Sequence, residues 1–479
     1  MKNSRISRRN LLHTGWGAAA GAGVLSLTGA ATATADATWY PPQLTSIFKA
    51  GFGPFAASYD KAYAFLGTMM DAYAQGSTLR LMQSYSDQQG LESTAFTYDN
   101  AVSIHAFLVR GLAEDVMRAQ VLGNALLYAQ RNDSFHDGRL RQGYFVNAPD
   151  AHGAYVQAAG APFYFFGSST GDMAWAGMAL TQLYRVTRNS SYLTGAVSLG
   201  SWVFNNTFDT RGAGGYNGGV DGSNTRITYK ATEHNIDTYA FFAMLASLTG
   251  NNVWLTRAQH ALPFLAAMWN SAGGFFWTGT GTDGATINTS NIPEDVQTWS
   301  YLALLKSMYA GSIDWVKTNL LTVDTPQTIN SKLTGALRIE GLTFASQSLR
   351  ALTPSASYDQ APDPNAVWLE GTAHGAAALL ARQLPPHEDI PTFYGDLASA
   401  LFLLDNIRLA QSKLGTAQTL AGAPITAGEG VVAASSVCNT GFGSSYYPNL
   451  HIGATGWYLI AGQSANPFQL GYRQRENWF

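Results

Sequence analysis

Carboxylates recur along this chain wherever a stretch with helical apolar spacing begins. They are Asp99 in Tyr98-Asp99-Asn100-Ala101, Asp172 in Thr170-Gly171-Asp172-Met173, Glu233 and Asp237 in Thr232-Glu233-His234-Asn235-Ile236-Asp237, Asp295 in Pro293-Glu294-Asp295-Val296, and Glu370 in Trp368-Leu369-Glu370-Gly371. A further opening, Asn449-Leu450-His451, lacks an acid. Two carboxyls facing one cleft can hydrolyse a glycoside: one protonates the leaving oxygen, and the other activates water or attacks the anomeric carbon. Glu233 and Asp237 are spaced i, i+4, so they share a helix face and repel, which separates their pKa values and keeps one protonated. Glu370 sits between Val367-Trp368-Leu369 and Gly371-Thr372-Ala373, an apolar setting in which an unpaired charge is costly. Asp99, Asp172 and Asp295 are explained equally well by the helix dipole, and Ser169-x-x-Asp172 and Asn291-x-x-Glu294 read as capping patterns. The first choice for the acid is Glu233, supported by Asp237, with Asp99, Asp172 or Glu370 as the base.

Around these carboxyls the sequence places groups suited to holding a sugar. Trp175, Trp299, Trp368 and Trp457 fall near the same openings, and as a set they should supply at least one stacking platform. Tyr216, in the glycine-rich run Gly214 to Gly219, is a candidate for exposure to a sugar, and Asp295, His234 and His374 complete the expected binding set. No His-Glu-x-x-His or Cys/His cluster occurs, so neither a metal nor a cofactor is expected. Gly279-Thr280-Gly281-Thr282-Asp283-Gly284 matches a dinucleotide fingerprint in spacing only, because no strand precedes it and no helix directly follows.

The openings are roughly 60 to 80 residues apart, the length of one helical hairpin plus a long loop. Between them two kinds of helix alternate. Amphipathic ones run from about Asp60 to Gln75, Asp115 to Arg131, Ser191 to Asn206, Asn252 to Trp269, Ile313 to Leu321 and Tyr394 to Lys413. Helices apolar on nearly every side run from Ala101 to Arg110, Ala174 to Tyr184, Ile236 to Leu248, Val296 to Met308, Ala373 to Arg382 and Ile452 to Ala461, and such helices must be buried all round. The expected fold is therefore all-α, an (α/α)6 toroid whose inner helices aim the acids into one cleft. Strand signals are sparse. Glycine- and asparagine-rich loops fall on the rim, and Thr322 to Tyr358 reads as a loop or lid with short helices.

Residues 1–37 read as an address: Ser7-Arg8-Arg9-Asn10-Leu11-Leu12 carries twin arginines, an apolar Ala/Gly stretch follows, and Ala35-Asp36-Ala37 is a small-x-small cleavage site. Residues 38–479 then form one catalytic domain, exported to the periplasm or beyond and not inserted in the membrane after cleavage; a monomer is expected. The lone Cys438 cannot form an internal disulfide. Only 12% of residues are charged and the net charge is −3, which argues against nucleic acid and anionic membranes as partners.

The Tyr98-Asp99-Asn100-Ala101 opening, the Trp368-Leu369-Glu370-Gly371-Thr372-Ala373 motif and the closing His451-Ile452-Gly453-Ala454-Thr455-Gly456-Trp457 resemble the inner-helix starts of the six-hairpin glycosidase-like superfamily. The resemblance covers about Trp39 to Tyr472 and implies an exported bacterial polysaccharide-degrading enzyme, with endo-glucanases of this architecture as the nearest kin. It leaves the reaction open, because the same toroid hosts hydrolases, lyases, phosphorylases and epimerases. An inverting glycoside hydrolase acting on a carbohydrate is the leading expectation. One alternative is a uronate lyase using Tyr144, Tyr239 or His234 as base and Lys230, Arg139 or Arg141 to neutralise the acid; the other is a non-catalytic glycan binder.

Overall fold

The computed structural model describes residues 53–149, 155–157, 166–354, 359–382 and 390–472; the twin-arginine segment 1–37 lies outside them. Among the described residues twelve α-helices follow one another: α1 (Gly53–Asp71), α2 (Thr97–Arg110), α3 (Ala113–Asn132), α4 (Thr170–Thr187), α5 (Ser190–Thr207), α6 (Thr232–Thr249), α7 (Asn252–Met268), α8 (Glu294–Leu304), α9 (Gly311–Asn319), α10 (Leu369–Ala381), α11 (Ile390–Lys413) and α12 (Ile452–Gly462). The even-numbered helices form the inner ring. Each packs against the next, and α12 closes back onto α2. Odd-numbered helices pack outside them, so the chain is the expected (α/α)6 toroid. The division follows from sequence: α10 and α12 are small and apolar on every side and are buried throughout, whereas α3 and α5 alternate buried and exposed positions. Small residues let the inner helices approach, as at Gly177, where an added Cβ would lie 2.1 Å from the Phe241 ring.

A collar of six like joints sets the inner helices at one level. The residue before each inner helix (Phe96, Ser169, Ala231, Pro293, Trp368 and His451) is extended and pairs in β fashion with a rim residue: Gly143, Gly219, Gly279, Ala345, Ala434 and Tyr85 respectively. The first helical amide, which has no partner inside a helix, donates to the same rim segment in all six cases: Thr97 to Gln142, Thr170 to Gly218, Thr232 to Thr278, Glu294 to Phe344, Leu369 to Ala433 and Ile452 to Ser84. One turn in, a side chain accepts a backbone N–H from the preceding rim segment. Asn100 takes Met82, Met173 takes Leu140, Asn235 takes Tyr216, Gln297 takes Phe276, Thr372 takes Leu342 and Thr455 takes Val431. Asn100, Asn235 and Gln297 also donate back to the carbonyl of the same residue. Each rim segment thus ties one inner helix to the next, and the last joint, at Ser84, closes the circle.

The collar explains glycines that have no chemical role. Gly279 has φ 149°, and a Cβ there would lie 2.0 Å from the Lys230 carbonyl oxygen. The apparent dinucleotide fingerprint is therefore a β-bridge followed by a tight hairpin, with Ile287–Asn288 returning against Gly279–Thr280.

Two local expectations are corrected. The tract from Thr322 contains a β-hairpin, Leu321–Asp324 against Ile339–Leu342, and a single 3-10 turn at Ser348–Arg350 rather than short α-helices. Asn291 does not cap α8; its amide bonds the Thr440 carbonyl while Pro293 precedes the helix. Ser169 does cap α4, accepting the Asp172 amide at 3.0 Å and donating to its carboxylate at 2.6 Å.

Candidate active site

Because the collar levels the inner helices, their first turns meet at one mouth and bring Asp99, Asp172, Glu233, Asp237, Asp295 and Glu370 into one electrostatic cluster. A carboxylate at a helix N-terminus gains about 0.3–1 kcal/mol from the dipole, whereas burying it without a partner costs several. Asp237 is fully buried and Asp99, Asp172, Asp295 and Glu370 nearly so. Helix capping therefore cannot account for the cluster.

The carboxyls round the mouth differ in their pull on a proton. On α4, α6 and α8, Asp172, Glu233, Asp237 and Asp295 are pushed toward the protonated form, while Glu294 is paired with His374. Burial, then Asp99, pushes Asp172 up to about 7. Burial, then Glu294, pushes Asp295 up to about 7. Glu233 is raised well above its ordinary value by burial, then by Asp295 and Asp172. Asp237 is raised likewise by burial, then by Glu233 and Asp295. Charges from the two neighbouring inner helices thus act on Glu233, and Glu233 and its i, i+4 neighbour Asp237 are linked as well.

On α10, α12 and α2 the balance reverses. Burial pushes the Glu370 carboxyl up, but His374, His451 and Tyr98 outweigh it and hold Glu370 below the usual value. The Tyr98 hydroxyl donates to Glu370 Oε1 at 2.5 Å and accepts from the Trp457 indole at 2.8 Å. His374 lies 3.2 Å from Glu294 Oε2 and 3.7 Å from Glu370 Oε1. Against its burial, these two carboxylates raise its pKa to about 9. His451 stands where the sixth acid is missing. Its Nε2 is 3.1 Å from Asp99, its Nδ1 is 3.5 Å from Glu370, and its ring stacks on Tyr85 with centroids 4.2 Å apart. Gly453 makes room for this meeting, since a Cβ there would come within 3.0 Å of His451, Asp99 and Glu370.

The aromatic expectations need correction. Trp175, Trp299, Trp368 and Trp457 are all at most 2% exposed, so none presents a face to a sugar. Trp175, Trp299 and Trp457 pack on one another, with centroids 5.1–5.9 Å apart, and plug the toroid beneath the acids. The Trp175 indole bonds Asp237, and Trp299 and Trp368 each bury an indole N–H without a hydrogen-bond partner. Tyr216 is fully buried on the outer side, its hydroxyl donating to the Arg257 carbonyl; its backbone is the one that Asn235 brackets. His374 is locked between two carboxylates. His234 is half-buried, with Nδ1 unpartnered and a pKa lowered to about 4 by burial.

Tyr98, Glu294, His451 and Tyr446 were not singled out. The first three lie in or beside the quoted openings, but nothing local marks them. Tyr446 arrives from a distant hairpin, stacks on Trp368, and feels Glu370, Asp99, Asp295 and Glu233. It remains half-exposed, as does Tyr229 near Glu233. Among the described residues, no group of three His, Cys, Asp or Glu is disposed to hold a metal ion, and no helix is long and apolar enough to cross a membrane.

No protein-family model matches the chain, and no curated protein matches it in sequence. Solved structures do match its fold. A cellobiose 2-epimerase from Spirochaeta thermophila superposes with TM-score 0.55 at 11% identity, covering 86% of this chain and 97% of its own. For a D-mannose isomerase the values are 0.54, 12%, 85% and 95%, and for a glycosidase in complex with glucose 0.52, 11%, 85% and 97%. The chain has the fold of the six-hairpin glycosidase-like enzymes.

Proposed function

We propose that this protein is a glycoside hydrolase. The observation that carries the reading is the division of the cleft: Asp172, Glu233, Asp237 and Asp295, pushed toward the protonated form, face Glu370, which the Tyr98 hydroxyl and the charges of His374 and His451 hold below the usual carboxylate value. This is the separation of acid and base that glycoside hydrolysis requires. Glu233, raised and half-exposed, donates its proton to the leaving oxygen. Glu370 accepts a proton from the attacking water; Asp172, kept near 7, is the weaker candidate for that role. Acid and base on different inner helices suit the inverting course, in which a water attacks from between the two carboxyls. Tyr446 and Tyr229 supply the aromatic faces that the buried tryptophans do not.

The three cations expected to serve a lyase are engaged elsewhere. Arg139 pairs with Asp137, Arg141 with Asp133, and Lys230 is buried against Asp209 and the Arg211 and Gly214 carbonyls; Tyr144 is buried, accepting the Arg141 amide. An epimerase or isomerase is the second reading, favoured by the unpartnered neutral His234 in the same cleft, but an imidazole with a pKa of about 4 is a weak base for a C–H proton.

Incubating the protein with a panel of neutral and basic glycans in deuterated water separates the three. Hydrolysis gives new reducing ends, with no ultraviolet-absorbing unsaturated product and no carbon-bound deuterium in the sugar. Unsaturated ends would establish a lyase, and deuterium at C2 without cleavage an epimerase. Export by the twin-arginine route is part of the same proposal: replacing Arg8 and Arg9 with Lys should leave the precursor in the cytoplasm, and unchanged export would refute it.

A further inference from the structure

Glu370 is held by one of its two oxygens. The hydroxyl of Tyr98, the second residue of α2, donates to Oε1 at 2.5 Å and accepts from the Trp457 indole of α12 at 2.8 Å. Oε2 is buried without a hydrogen-bond partner, and His451 Nδ1 stands 3.5 Å from it. The two bonds of Tyr98 run in one direction only. An indole N–H can only donate and a carboxylate can only accept, so the single phenolic proton has to point at Oε1. Trp457 is fully buried, and leaving its N–H unpaired would be costly, so it holds the phenolic oxygen in place. The Tyr98 ring is itself wedged against Trp175 and Trp299, with centroids 5.1 and 6.0 Å away. Because α12 packs against both α10 and α2, this line of bonds ties three successive inner helices at the level of the carboxyls.

We infer that Trp457 and Tyr98 are positioning residues acting as one directional relay, which pins Glu370 by Oε1 and leaves Oε2 to take the proton of the attacking water. The inference rests on the reading of Glu370 as the hydrolytic base. In that step the water oxygen bonds the anomeric carbon and its proton passes to Oε2, while the glycosidic bond breaks and the leaving oxygen takes the Glu233 proton. A charge-assisted bond to one oxygen fixes how the carboxyl is turned. The oxygen left bare beside it is the better place for a water hydrogen, since buried polar atoms are almost always satisfied. Trp457, which otherwise only fills the closed ring, reaches the chemistry through a single N–H.

Carbon-13 NMR titration of the intact protein, labelled at its glutamate carboxyls, follows Glu370 with no substrate present; the resonance is assigned by its loss in Glu370→Gln. Tyr98→Phe keeps the ring and removes the donor that favours the charged form, so the Glu370 midpoint should rise by about one pH unit or more. Trp457→Phe should raise it less, since the hydroxyl remains but is no longer directed. The double variant should raise it no further than Tyr98→Phe, because the indole acts only through the hydroxyl. The other ionisable groups about Glu370 stay in place throughout: Asp99 on α2, Glu233 on α6, Glu294 and Asp295 on α8, His374 on α10, His451 on α12, and the phenols Tyr85 and Tyr446. Reducing-end release from the glycan cleaved in the panel above is the second readout. In Tyr98→Phe the acid limb of kcat/KM should move up with the midpoint and kcat should fall by about tenfold or more, with KM changed by no more than about twofold. An unmoved midpoint in Tyr98→Phe, or shifts from the two substitutions that simply add, would overturn the relay. If Trp457→Phe does not fold, the midpoint of Tyr98→Phe decides alone. The two readings fail separately: a midpoint that moves as expected in a protein that cleaves no glycan overturns only the hydrolase, and cleavage whose acid limb ignores Tyr98→Phe overturns only the relay.

Discussion

Glu233 and Glu370 reach opposite protonation states through different partners, and this makes their roles testable. Glu233→Gln keeps the shape and hydrogen-bonding reach but removes the transferable proton, so turnover should fall by about 10²-fold or more. Substrates with activated aryl leaving groups should lose much less. Near-normal turnover on the natural glycan would transfer the acid role to Asp172 or Asp295. The pH profile offers an independent check. Loss of the acid's proton sets the alkaline limb of kcat/KM, and Asp295 is the first charge raising Glu233. Asp295→Asn should therefore move that limb to lower pH. A limb that stays in place in Asp295→Asn would show that Glu233 does not define it.

At the level of elements, the collar positions the chemistry. Each inner helix is held at both its first amide and its first turn, so the height of Glu233 depends on the bridge between Ala231 and Gly279. Gly279→Ala forces a Cβ into the Lys230 carbonyl at a backbone angle that side chains rarely adopt. It should destabilise the fold by about 1–3 kcal/mol and lower turnover by about 10²-fold through misplacement of α6, even at temperatures where the variant is folded. Thermal denaturation together with kinetics checks both effects; a variant that is less stable but fully active would show that the joint holds the fold without aligning the acid. The hairpin Leu321–Asp324/Ile339–Leu342 belongs to this collar, since Leu342 and Phe344 supply joints to α10 and α8. The sequence shows no sign of this, and that is why the tract reads as an irregular lid.

For the molecule as a whole, the buried acids set the pH dependence of stability. A carboxyl whose pKa is raised on folding contributes stability that is present below its ordinary value and lost as pH rises through the raised one. Asp172 and Asp295, at about 7, act in this direction, as do Glu233 and Asp237. Asp363, raised to about 6 chiefly by burial, adds to it outside the cleft. There the single proton of the Thr328 hydroxyl faces Asp324, Asp363 and the Thr325 carbonyl, so a proton on Asp363 completes the network. The thermal midpoint should therefore be highest near pH 5 and fall toward pH 8. Asp363→Asn, which keeps a donor at every pH, should flatten the part of that fall below pH 7. A midpoint that rises steadily from pH 5 to 8 would contradict the protonation assigned to these sites.

Periodicity alone determined the twelve helices, their alternation and the inner ring, because a helix apolar on every side has only one place to go. It also placed Asp99, Asp172, Glu233, Asp295 and Glu370 at helix starts, since first-turn acids precede the apolar run in sequence. The protonation of each was decided by the tertiary structure. Glu370 lies in an apolar run and yet is ionised, because His374, His451 and Tyr98 come from its own next turn and from two other helices. The tryptophans near the openings turned inward because the centre of a closed ring must be filled. The collar itself stayed hidden: its six clamps are Asn, Met, Asn, Gln, Thr and Thr. A backbone N–H asks only for an acceptor within reach, so the joint repeats in space without repeating in residue type.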